Sequence, residues 1–103
     1  MTDAIRNAIA ASLEHLANQE SWNPEAWQLC YDSVTANWGN ELLGYVHDDL
    51  THYSGVFYSH NILGLRTKPD SHELDDYRYE FRSIAAALRA QLSLADAKKQ
   101  FRL

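Results

Sequence analysis

Apolar side chains recur at steps of three and four along most of this chain, the spacing that gathers them on one stripe of an α-helix. The first stripe is Ile5, Ile9, Leu13 and Leu16, opened by Thr2 or Asp3 as an N-cap and predicted to run to about Asn18. Asn23-Pro24 opens the second segment. Asparagine caps, and proline suits the first helical position because the amide hydrogen it lacks would have no intrahelical acceptor. Trp27, Cys30 or Tyr31, Val34 and Trp38 follow at helical spacing until Gly39-Asn40 stops the run.

The third segment carries Leu42, Val46, Leu50, Tyr53, Phe57 and His60 on a helical seam. Gly44 and Gly55 oppose it, each costing a helix about 1 kcal/mol relative to alanine. Tyr53-Ser54-Gly55-Val56-Phe57-Tyr58 also has the composition of a strand, so a short hairpin between Tyr53 and Leu65 is the alternative. The helix is preferred because its period holds across both glycines. Asn61 to Pro69 reads as a loop, and Asp70-Ser71-His72-Glu73 as an acidic capping box. The fourth stripe is Leu74, Tyr77, Phe81, Ile84, Leu88 and Leu92, and Ser93-Leu94-Ala95-Asp96 caps a last short helix. The expected fold is one all-α domain over residues 1–103, a compact antiparallel bundle of about four helices plus a short C-terminal helix. The alternative is α+β, with the hairpin near residues 53–65.

Charge divides the chain unevenly. Met1 to His60 carries eight acids against Arg6 alone, a formal −7, whereas Asn61 to Leu103 carries six acids and eight bases. No lysine or arginine lies between Arg6 and Arg66. Such a stretch is unsuited to gripping a phosphate backbone, and the arginines of the fourth segment are interleaved with Asp75, Asp76 and Glu80. Nucleic acid is therefore not the expected partner. A single cysteine, Cys30, excludes an internal disulfide and a cysteine metal knuckle. Met1-Thr2-Asp3 lacks the basic region of a signal peptide, and no apolar run approaches the ~20 residues of a membrane span. A soluble cytoplasmic protein, without a membrane partner, is the expectation.

Candidate chemistry centres on the third segment. On a helix, Asp48 and His52 are four apart and project from one face, where they could share an ion; a metal-dependent enzyme built on them is one reading. No further ligand motif supplies the rest of a site, so no metal and no cofactor is expected. The adjacent pairs Asp48-Asp49 and Asp75-Asp76 diverge by about 100° on a helix and do not naturally share a proton. No nucleophile elbow or Gly-rich phosphate loop occurs, and no catalytic residue is assigned. Protein recognition fits better. Tyr45, Asp48, Asp49, His52, Tyr58 and His60 combine tyrosine surface with carboxylates and histidine in a stretch without positive charge, which suits a basic protein partner. Inhibitors of basic enzymes, including immunity proteins that neutralise nuclease toxins, are similar in size, charge and helicity, and that likeness implies non-catalytic binding. An adaptor, a homodimeric regulator, and a pH-responsive regulator using the histidines are further readings of the same surface.

Overall fold

The computed structural model describes residues 1–59 and 71–103, and within them every regular element is helical: α1 (Asp3–Ala17), α2 (Pro24–Ala36), α3 (Glu41–Ser59), α4 (Ser71–Arg89) and α5 (Leu94–Phe101). The starts follow local chemistry. The Thr2 hydroxyl accepts the Ile5 amide at 3.2 Å, the Asn23 side chain accepts the Ala26 amide at 3.1 Å with Pro24 at the first position, and the Ser93 hydroxyl accepts the Asp96 amide at 3.1 Å. α4 ends earlier than its stripe. Gln91 takes a left-handed conformation (φ 56°), and the Leu92 amide returns to the Ala87 carbonyl at 3.0 Å while Gln91 bonds Leu88. This closure normally uses glycine, and it turns Leu92 back against the core as a contact beyond the helix rather than within it.

α1 packs on α2 and α4, and α3 packs on α2 and α4, so the four long helices close a ring with α5 laid across α3 and α4. The ends of α1 and α4 cross-match, Asp3 near Gln91 and Ala17 near Arg82, which makes them antiparallel. An overall extent of 43 × 26 × 20 Å suits two helices by two at the usual 8–10 Å spacing. The bundle and short C-terminal helix expected from periodicity are thus present. Tyr53 to Ser59 belongs to α3, and the hairpin does not occur there; its second half lies outside the described residues.

The predicted stripes form the core. Ile9, Leu13, Leu16, Cys30, Val34, Leu42, Val46, Leu50, Tyr53, Phe81, Ile84 and Leu88 are all buried, each large aliphatic contributing about 1.5–3 kcal/mol by leaving water. Trp27, Tyr31, Tyr77 and Leu92 are partly buried against it, and two stripe members are exposed. Ile5 is 40% exposed in the first turns of α1, and Trp38, two residues past the end of α2, is 58% exposed. Periodicity extended beyond the helix put Trp38 inside; the chain turns after Ala36 and carries the indole outward. Cys30 donates to the Ser12 carbonyl at 2.9 Å, and burial pushes its thiol up to about 11, so it packs as an inert core residue.

Candidate functional site

The α2–α3 face is built on a run of rings. The Trp27 indole N–H donates to the Leu50 carbonyl at 2.8 Å, tying α2 to α3. Trp27 stacks on Tyr31 (centroids 4.9 Å, 19°), Tyr31 lies 5.2 Å from the His47 ring, and Trp38 meets His47 edge to face at 4.9 Å. His47 Nε2 lies 3.3 Å from the Tyr31 hydroxyl, while Nδ1 sits 3.7 Å from the Asp48 carboxylate. Asp48 is exposed on the outer turns of α3, as is His52 one turn on. Across the interface Asp32 is exposed on α2 and accepts from Gln28 at 2.8 Å.

Tyr45 and Asp49 occupy the other flank of α3 and turn toward α4. The Tyr45 hydroxyl donates to Glu80 at 3.0 Å, and Lys98 of α5 approaches the Tyr45 ring at 5.5 Å. Asp49 Oδ2 is shielded from solvent without a donor, and its carboxyl is within hydrogen-bonding reach of Glu80. Burial first, then the Glu80 carboxyl beside it, pushes Asp49 up to about 8. Burial and the same Glu80 acceptor push the Tyr45 hydroxyl up to about 12, and Tyr77 is raised by burial and by Asp49. The result is a polar brace between α3 and α4, made by Tyr45, Asp49 and Glu80. Asp49 and Glu80 are distant in sequence, so neither adjacent acid pair points to this contact. Its available signal was positional: each acid flanks the apolar stripe of its own helix.

The arginines of α4 are occupied within the molecule. Arg78 donates to the Gln19 carbonyl at 2.9 Å and pairs with Asp75. Arg82 reaches the Ala17 carbonyl and the Asn18 side chain, and Arg89 pairs with Glu14 at 2.5 Å. Carbonyls at the C-terminal end of α1 carry partial negative charge, so Arg78 and Arg82 complete that helix end while joining α4 to α1. Arg6 pairs with Asp3. α2 and α3 themselves contribute Glu25, Asp32, Glu41, Asp48 and Asp49 but no lysine or arginine. Glu41 accepts the Leu94 amide at 2.8 Å, and Asp49 is in the brace. Glu25, Asp32 and Asp48 remain outward and exposed.

The six sequence-predicted positions therefore separate. Asp48 and His52 share the outer face of α3, Tyr45 and Asp49 join the α4 brace, and the Tyr58 side chain and His60 lie outside the described residues. Trp38 and His47, which complete the α2–α3 face, were not among them. Among the described residues no group of three His, Cys, Asp or Glu side chains gathers as a metal site around Asp48 and His52 or elsewhere. No described helix is long and apolar enough to cross a membrane. Neither the family models, the curated proteins nor the solved structures compared with the chain gave a match.

Proposed function

We propose that this protein is a small cytoplasmic binding module that acts without catalysis, presenting the acidic α2–α3 face to a basic protein as an inhibitor or adaptor. One observation carries the reading: the α1 and α4 arginines are engaged within the bundle, and among the described residues Glu25, Asp32 and Asp48 are exposed without a lysine or arginine partner, on helices whose α2–α3 turn bears a largely exposed tryptophan. Exposed like charge on one face gains little for folding and accelerates encounter with an opposite surface. Tryptophan adds a large rigid anchor of the kind that dominates binding energy.

Affinity capture with the wild type and an Asp32→Lys/Asp48→Lys double variant tests this. Both positions are exposed, so the variant should fold. Wild type is expected to recover a basic protein that the variant does not. Recovery of the same proteins by both, at the same salt resistance, would remove the α2–α3 face from consideration.

A further inference from the structure

Trp38, His47 and Asp48 place an exposed aromatic surface beside an exposed carboxylate. Trp38 is 58% exposed and meets His47 at 4.9 Å, and His47 in turn lies 3.7 Å from Asp48. On its other side Trp38 lines an open cleft of about 410 Å³ with Met1, Asn37 and Asn40. The Asn37 amide group is bound to the Ser33 carbonyl at 2.8 Å, and the Asn40 side chain accepts the Leu42 amide, so their polar ends serve the α2–α3 turn. His47 is fixed between Tyr31 and Trp38 and helps hold the indole against the bundle. The surface is thus a supported ring, a carboxylate one residue from its support, and no cationic side chain on either helix.

We infer that this corner receives an arginine side chain of the partner, the guanidinium lying on Trp38 and its N–H groups directed at Asp48. The inference rests on the α2–α3 face being the binding surface. Charge complementarity names the cation, and the ring names which cation. Arginine is planar, weakly hydrated and able to stack on an indole while donating in a fork to a carboxylate. Lysine carries a compact, strongly hydrated charge that gains less from the ring. Citrulline keeps the plane without the charge.

The test is a titration of ¹⁵N-labelled protein with the capped peptide Gly-Arg-Gly-Arg-Gly, in parallel with its lysine and citrulline analogues, followed by chemical shifts. The Trp38 indole N–H and the Asp48 amide are expected to shift saturably with the arginine peptide. Binding should be about two- to five-fold tighter than for lysine, and citrulline should leave both signals in place. Trp38→Leu should equalise arginine and lysine, while Trp38→Phe should restore part of the preference. Equal affinities in the wild type, or a preference that survives Trp38→Leu, would overturn the assignment. If the arginine and lysine peptides both bind α2–α3 without moving Trp38, the anchor fails and the acidic binding face stands. If neither shifts any signal of α2 or α3, both fail.

Discussion

Gly55 lies on the exposed side of α3, and a methyl group added to it would meet no atom within 4 Å. Its presence there carries the general cost of glycine in a helix without any steric reason for it. Gly55→Ala should therefore stabilise the protein by about 1 kcal/mol, a rise in melting temperature of about 4–8 °C for a domain of this size. Thermal unfolding followed by circular dichroism measures it. A lowered melting temperature would show that this segment is not the helix described. Trp38 teaches the complementary lesson. Its spacing from Val34 fits the α2 stripe, but a stripe has meaning only while the helix continues, and α2 ends at Ala36. Gly39-Asn40 marked the stop correctly to within a few residues, and those few residues decide whether an indole lies inside or outside.

At the scale of the elements, the brace sets two acids, Asp49 and Glu80, side by side between α3 and α4 rather than opposite charges. The Asp49 carboxyl is held protonated well above its unfolded range, so the folded state binds more protons than the unfolded chain between about pH 4 and about pH 8. Its contribution to stability is full at the acidic end and is lost as pH rises through that window. Asn at position 49 keeps a donor for Glu80 and cannot ionise. Asp49→Asn should match the wild type near pH 4 and exceed it near pH 8 by about 1–2 kcal/mol, reduced from the isolated-group value by solvent screening. Denaturant melts across that range provide the check; parallel curves for the two proteins would contradict a raised Asp49 carboxyl. The four long helices were legible because each is amphipathic over three or more turns, and α1, α2 and α5 were marked by their own N-caps. The brace was not, because pairing between helices depends on which flanks face each other, and periodicity gives the buried stripe without the neighbour. The same limit applies to Arg78, Arg82 and Arg89. Their alignment along α4 could be read from sequence, as could the Asp75–Arg78 pair, but not their attachment to the end of α1.

For the whole molecule, the sequence asymmetry becomes a spatial one. Arg78, Arg82 and Arg89 sit along the α1–α4 seam, Lys98, Lys99 and Arg102 sit on or just beyond α5, and Glu25, Asp32 and Asp48 of α2 and α3 are exposed away from the seam. Interleaved helices could have cancelled this division; the ring order keeps α2 and α3 adjacent. Long-range attraction from such a face is screened over about 8 Å at physiological ionic strength, so binding through it must weaken with salt. The decisive measurement is the dissociation constant for the captured basic partner across a salt series, using wild type, Asp32→Lys/Asp48→Lys, and Asp96→Lys on α5 as a control reversal. The wild type should weaken steeply with salt. The α2–α3 variant should bind at least about tenfold more weakly at low salt and lose most of that slope, and Asp96→Lys should stay within about twofold of wild type. Equal affinities and slopes for the wild type and the α2–α3 variant, or a larger loss at Asp96, would contradict the account.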